Sequence, residues 1–150
     1  MKDIYVDAGF LIGLYDEEDE FHEKAAHYFL SMFETANNCL VIPWPILYET
    51  VRTRAVKNRN AMLLLERYWK FLLRHKRLTL ISDVPFREDV VDECFSELTK
   101  PDRQRRNLSL ADRVIRRMLL DKSVHIDAFI TFNPKDFADA CRAAQREMLS

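Results

Sequence analysis

The chain has 150 residues and is 48% hydrophobic, which suits one domain with a sizeable core and argues against disorder. Its 23 Lys and Arg residues nearly balance its 24 Asp and Glu residues, so the charge of −1 gives no global attraction to nucleic acid or membranes. We expect a soluble cytoplasmic protein, because no apolar run could span a bilayer and the N-terminus, with Asp3, is unlike a signal peptide. The odd number and wide spacing of Cys39, Cys94 and Cys141 predict reduced thiols.

The first third of the chain predicts two strands and two helices. Residues 4–7 form a short apolar strand that ends in a carboxylate, and residues 8–15 form a helix. The acidic run 16–20 fits the start of a second helix, to about Thr35, because carboxylates favour the positive end of a helix dipole. Residues 39–42 are a continuous apolar run, which is typical of a strand covered on both faces.

The middle of the chain predicts a helical hairpin, a third strand and a further helix. Pro45 suits the first position of a helix that runs to about Lys57. A polar patch separates this helix from a longer amphipathic one at about residues 61–75. Residues 78–81 predict the third strand, and residues 85–98 predict the helix that follows it.

The last third of the chain predicts two helices around a fourth strand. Ser109 is the expected N-cap of a helix that ends near Leu120. Residues 126–132 form the strand, although Asp127 interrupts its apolar run, and a last helix is expected from residue 133 to the C-terminus. Strands interleaved with helices predict an α/β fold with a mainly parallel sheet.

Four acids are predicted to lie at one edge of that sheet. Asp7 follows the first strand, and Glu49 lies one turn into the helix after the second. Asp112 begins the helix that leads to the fourth strand, and Asp136 comes just after that strand. In βαβ units the carboxyl ends of strands share an edge with the amino ends of the helices that follow. We therefore expect these carboxylates to converge.

Converging carboxylates repel one another, and a divalent cation is the simple compensation. An oxygen-only ligand set favours Mg²⁺ or Mn²⁺, which keep water ligands and accept phosphate oxygens from a substrate. One or two such ions could activate a water for attack on a phosphodiester. The four histidines have no evident partners, so no Ser-His-Asp or Cys-His set competes for the chemistry.

Basic residues flank two of these acids in sequence. If they face the same groove they would contact phosphates without base specificity, and otherwise they are solvated helix faces. One group surrounds Asp112 and the other follows Glu49: Arg103, Arg105, Arg106, Arg113, Arg116 and Arg117, then Arg52, Arg54, Lys57 and Arg59.

Each acid also has an ordinary structural role open to it. Asp7 could cap the helix after it, and Ser109-x-x-Asp112 and Asn133-Pro134-x-Asp136 match common capping patterns. Glu49 lies in a largely apolar helix start, where a helix-dipole role is the alternative. The shared edge favours a common site, since independent caps need not lie together.

Four ordered segments resemble the PIN domain, and especially the VapC-type toxin ribonucleases of toxin–antitoxin modules. The resemblance covers nearly the whole chain. Its segments are residues 6–14 with Asp19-x-x-His22-x-x-Ala25, then Pro45-x-x-x-x-Glu49, then residues 108–115 around Asp112, then residues 130–137 with Asn133 and Asp136-Phe137.

The resemblance implies an endoribonuclease dependent on Mg²⁺ or Mn²⁺, with Asp7, Glu49 and Asp112 as the metal-binding triad. Asn133 stands where many members carry Asp, so both Asn133 and Asp136 are carried over as catalytic or metal-ligand candidates. Expected substrate contacts are Thr131, Arg113, Arg116 and Arg52.

The resemblance further implies a three-layer α/β/α fold, an RNA substrate, an antitoxin partner and a homodimer. Members often end in a short fifth strand, whereas this C-terminus predicts a helix, so four or five strands are expected. The alternative function is a weakly active or inactive PIN-like module that binds RNA or protein, with Asn133 as a sign of decay. A flavodoxin-like phosphate-binding protein is disfavoured because the chain has no glycine-rich phosphate loop.

Overall fold

The computed structural model describes residues 1–150 and contains a five-stranded parallel sheet. The spatial order of the strands is β3-β2-β1-β4-β5, and all four neighbouring pairs are parallel. The predicted α/β fold class is therefore confirmed. The strands are β1 (Asp3–Val6), β2 (Cys39–Pro43), β3 (Leu78–Ile81), β4 (Ala128–Ile130) and β5 (Glu147–Leu149).

Eight α-helices connect and cover these strands. Helices α1, α2, α3 and α5 pack in one group, and α6, α7 and α8 pack in another. None of them is long and apolar enough to cross a membrane. The helices are α1 (Ala8–Tyr15), α2 (His22–Tyr28), α3 (Trp44–Thr50), α4 (Thr53–Lys57), α5 (Arg59–Arg74), α6 (Arg87–Glu97), α7 (Leu110–Leu120) and α8 (Ala138–Ala144). A π-helical segment, Phe29–Thr35, continues α2, and 3₁₀ turns lie at Val84–Phe86, Asp102–Gln104 and Pro134–Asp136.

The core lies around the three central strands. All residues of β2 and β4 are buried, as are Ile4, Tyr5 and Val6 of β1, because helices cover both faces of the sheet. Helix α1 packs closely on α2: a Cβ added at Gly13 would lie 2.9 Å from the Cβ of Ala25. This packing holds α1, and with it the end of β1, in a fixed position.

The prediction of a helix through the C-terminus is wrong. Helix α8 ends at Ala144, and Gln145 takes a left-handed conformation with φ of 56°, a common way to end a helix. Arg146 then fixes the turn by donating to four backbone carbonyls, among them those of Leu119 and Ile126. The chain continues as β5 beside β4, which confirms the fifth strand implied by the resemblance. Three residues are too few for periodicity to reveal this strand.

Two predicted helices differ from the structure, one at its start and one in its middle. The acidic run 16–20 forms turns before α2 and is not part of a helix. The helix expected from Pro45 to Lys57 is interrupted at residues 51–52, which separates α3 from α4. The hydroxyl of Tyr15 donates to the carbonyl of Thr50, the last residue of α3, and so satisfies an acceptor that the break leaves without a partner in the helix. Such a tertiary contact has no local sequence signal.

Candidate active site

The candidate site lies where the strand order reverses, between β1 and β4. Open α/β sheets bind ligands in the crevice outside the carboxyl ends of the strands at this point. Asp7 follows β1 and Thr131 follows β4, and both side chains are buried. The Thr131 hydroxyl donates to Asp7 Oδ2 at 2.5 Å. The two strand ends are thus joined through the first predicted acid.

Asp7 combines a structural role with an unfavourable electrostatic position. Its Oδ1 accepts the backbone N–H of Phe10 at 3.2 Å, so it is the N-cap of α1, as one interpretation of the sequence predicted. Burial raises the pKa of the Asp7 carboxyl, and the nearby charge of Asp112 raises it further. The hydrogen bonds from Thr131 and Phe10 offset part of this shift. A cation bound beside Asp7 would therefore stabilise its charged form.

Glu49 and Asp112 lie within electrostatic range of Asp7. Burial raises the pKa of the Glu49 carboxyl on α3, and the charges of Asp112 and Asp7 add to the shift. Burial likewise raises the pKa of the Asp112 carboxyl in the first turn of α7. The hydrogen bond with Ser109 lowers this pKa, and the charge of Asp136 raises it further. Asp7 follows β1, Glu49 lies in the helix after β2 and Asp112 lies in the first turn of α7, and each of the three repels at least one of the others.

Asn133 and Asp136 extend the site through a chain of hydrogen bonds. The backbone N–H of Asn133 donates to Thr131 Oγ1 at 3.0 Å, and the Asn133 side-chain amide donates to Asp136 Oδ2. Asp136 ends the 3₁₀ turn that follows β4. Asp7, Thr131, Asn133 and Asp136 are therefore linked in series, so Asn133 orients the neighbouring acid.

None of the four acids forms an ion pair with a lysine, arginine or histidine. Asp7, Asp112 and Asn133 line a cavity of about 280 Å³. Asp19 and Glu20 line it too; the sequence placed both in a helix start and Asp19 also in the first segment of the resemblance, but it predicted neither as a site residue. The acidic run was the signal for these two residues, but the pattern did not show that it would turn back toward β1. Carboxylates therefore outnumber cations in this crevice.

The three arginines predicted as substrate contacts have different surroundings. Arg113 is buried and pairs with Glu93 at 3.3 Å and Glu97 at 3.6 Å. Arg116 binds Asp139 through two hydrogen bonds of 2.7 and 2.9 Å. Arg52 is exposed, and its charge partly lowers the pKa of Glu49. Only Arg52 is exposed and without an ion pair, and a substrate role for any of the three stays a prediction.

A second cluster of metal-ligand residues lies at the opposite edge of the sheet. Asp3, His125 and Asp127 are the one group of three whose ligand atoms all lie within 4.8 Å of one another. His125 Nδ1 lies 2.6 Å from Asp3 Oδ2, and Asp127 accepts the backbone N–H of Asp3 at 2.7 Å. These groups are already paired, whereas the acids around Asp7 are more widely spaced.

The donor set around Asp7 fits a hard divalent ion. It consists of carboxylate oxygens, with no thiol or imidazole among the predicted ligands. Mg²⁺ keeps several waters and is usually held by one or two carboxylates, so an open group of acids suits it better than a closed cage. Burial, and to a smaller extent repulsion by other acids, raises the pKa of Asp7, Glu49 and Asp112, and the positive charge of a divalent ion would offset both effects.

Comparison with solved structures finds the same fold in VapC20 of Mycobacterium tuberculosis, described as a sarcin-ricin loop cleaving toxin. The match has a TM-score of 0.60 and 17% sequence identity, and it covers 91% of this chain and 94% of that chain. No protein-family model and no curated protein sequence matches this chain. At this identity the likeness establishes the fold, and the function has to be argued from the site.

Proposed function

We propose that this chain is a PIN-type endoribonuclease similar to the VapC toxins and dependent on Mg²⁺ or Mn²⁺. The observation that carries the proposal is the set of acids without basic partners at the point where the strand order reverses. The shared fold with a sarcin-ricin loop cleaving toxin supports the choice of RNA as substrate.

In this proposal Asp7, Glu49, Asp112 and Asp136 would hold the divalent ion. When bound, the ion would neutralise the carboxylates and polarise the scissile phosphodiester and its attacking water. Asp7 is oriented for this role by Thr131 on one oxygen and by Phe10 N–H on the other. A carboxylate oxygen has two lone pairs, so these bonds leave acceptor sites free.

Two further roles belong to this proposal: Ser109 would position one of the acids, and Glu49 would assist proton transfer. Ser109 caps α7 by accepting the N–H of Asp112 at 3.1 Å, which fixes the first turn of that helix. The Glu49 side chain is half-buried and forms no ion pair, so besides holding the ion it would assist removal of a proton from the attacking water.

The proposal extends to partners and location. A VapC-type toxin would work in the cytoplasm on RNA and would be held inactive by an antitoxin. We also propose that the active form is a homodimer, as the resemblance implies. Size-exclusion chromatography with light scattering would measure that state directly.

The test is cleavage of a single-stranded RNA by the purified chain with Mn²⁺, with EDTA, and after Asp7→Asn. We expect cleavage with Mn²⁺ and none with EDTA, and a loss of at least about 100-fold in the variant. Asp127→Asn, at the opposite edge, is the matched control and should cleave at the wild-type rate. Full activity of Asp7→Asn would overturn the proposal. RNA binding without cleavage would favour the inactive module instead.

A further inference from the structure

A second, basic cavity opens beside the candidate active site. It has a volume of about 670 Å³ and lies between the loop before α7 and the start of α8. Asn133 lines both this cavity and the acidic one, so the two are adjacent. Its charged lining consists of Arg106, Lys135, Arg142, Asp136 and Asp139.

The cations of this cavity are better placed for a ligand than its acids. Lys135 and Arg142 are exposed and form no ion pair. Asp139 is already bound, by Arg116 at 2.7 Å and by Arg106 at 2.8 Å. These arginines hold the pKa of the Asp139 carboxyl well below its usual range. Asp136 is the one acid of this cavity without an ion pair, and it accepts the Asn133 amide, so the two unpaired cations outnumber the unpaired acid that a ligand would meet.

Arg116 also holds the wall between the two cavities. Its guanidinium donates to the backbone carbonyl of Asp136 at 2.7 Å while it binds the carboxylate of Asp139. The turn that carries Lys135 and Asp136 is thus tied to α7, the helix that carries Asp112. The basic cavity and the acidic site therefore have a fixed relative position.

Another cavity adjoins the acidic one through Asp19 and has the reverse charge balance. It lies between the turn after α1 and α4 and is lined by three carboxylates and only two arginines. A phosphate chain that crossed this side would meet more negative than positive charge. The charged residues are Asp16, Glu18, Asp19, Arg52 and Arg54.

We propose that the basic cavity is a binding subsite for the phosphate backbone of RNA, contacted by Lys135 and Arg142. RNA would then leave the acidic site over the start of α8 and not over the turn after α1. This inference rests on the proposed ribonuclease function. Contacts of this kind set affinity and register without reading bases, and they weaken as salt rises.

The test measures binding of a single-stranded oligoribonucleotide at several salt concentrations in the Asp7→Asn background, which prevents cleavage. Lys135→Gln/Arg142→Gln removes one lysine and one arginine. The matched control, Arg74→Gln/Lys76→Gln, removes the same charges from the end of α5 and the turn before β3, at the opposite edge of the sheet, where both residues are exposed and form no ion pair. Thermal unfolding of each double variant checks that it folds, and the single variants replace a double that does not.

A plot of log K against log salt has a negative slope. We expect this slope to become less steep by about 1.4 for Lys135→Gln/Arg142→Gln, or by about 0.7 for each lost phosphate contact. Relative to binding at about 1 M salt, this corresponds to roughly 25-fold weaker binding at about 0.1 M salt. The control should leave the slope unchanged. Equal losses in both double variants, or no loss at Lys135 and Arg142, would overturn the subsite.

Cleavage by the wild-type chain, measured in parallel with Mn²⁺, separates this inference from the proposed function. Cleavage with an unchanged slope would reject the subsite alone. A changed slope without cleavage would support the subsite and reject the ribonuclease. Absence of RNA binding by the parent protein would reject the subsite.

Discussion

The two edges of the sheet both carry carboxylates, but in different electrostatic states. At the amino edge, Asp3 and Asp127 lie beside His125, which is 75% exposed and whose pKa is raised by the hydrogen bond to Asp3. At the carboxyl edge, Asp7 and Glu49 have no cationic partner in an ion pair, and burial raises the pKa of both. The acids at the amino edge have a partner within the chain that can carry positive charge, and the acids at the carboxyl edge have none.

This difference separates acids that stabilise the fold from acids whose charge opposes it. Unpaired, partly buried carboxylates cost stability, and groups with such shifts concentrate at functional sites. The close spacing of Asp3, His125 and Asp127 is explained by their own hydrogen bonds. The wider spacing at the carboxyl edge leaves room for an ion with its waters and a phosphate.

The largest predicted effect is at Glu49, where substitution should lower RNA cleavage and raise the stability of the fold. Glu49→Gln should lower Mn²⁺-dependent RNA cleavage by at least about 100-fold. Without divalent ions at about pH 7.5, it should raise the melting temperature by roughly 2 °C, since the half-exposed carboxylate costs less than 1 kcal/mol or so. Cleavage assays and thermal unfolding in EDTA measure the two effects.

The pH dependence of the stability gained in Glu49→Gln follows from the direction of the Glu49 pKa shift. Because its folded pKa lies above the ordinary value of 4.5, the charge costs stability only as pH rises through the folded pKa. Glu49→Gln should therefore add no stability at about pH 4 and its full gain above the raised value. A variant that is less stable than wild type at neutral pH would show that Glu49 is a structural residue.

A smaller effect is predicted at the amino edge. His125→Gln should leave RNA cleavage unchanged and lower the melting temperature at pH 6 by no more than about 2 °C, since exposed pairs contribute little. A raised histidine pKa stabilises the folded state below the ordinary value of 6.5 and loses that effect as pH rises through the folded value. Thermal unfolding at about pH 9 should show no difference. A large loss of cleavage in this variant would mean that the active site lies at the amino edge and not at the carboxyl edge.

Strand topology made the acidic site predictable from sequence. Asp7 and Glu49 follow successive parallel strands, so their shared edge required only that the strands be recognised. The caps were predictable too: Ser109 caps α7, and Asp7 caps α1 while it faces the crevice. The capping and functional interpretations of Asp7 thus describe the same side chain.

The surroundings of the arginines could not be predicted, because they depend on distant partners. Arg116 lies one turn after Asp112 on α7, yet Asp139, 23 residues further along the chain, binds it. Arg113 follows Asp112 directly but faces α6 and pairs there with Glu93. Proximity in sequence indicated a basic cluster, but it did not show which of these arginines would pair with acids on other helices.

The most direct test of the carboxyl-edge site is Mn²⁺-dependent thermal unfolding of the wild type, Asp112→Asn and Asp127→Asn. At 100 times its dissociation constant, the ion should add about 2.7 kcal/mol, or roughly 5–10 °C, to the wild type. Asp112→Asn should lose this gain and Asp127→Asn should keep it. A gain kept in Asp112→Asn and lost in Asp127→Asn would place the ion at the amino edge and contradict the carboxyl-edge site.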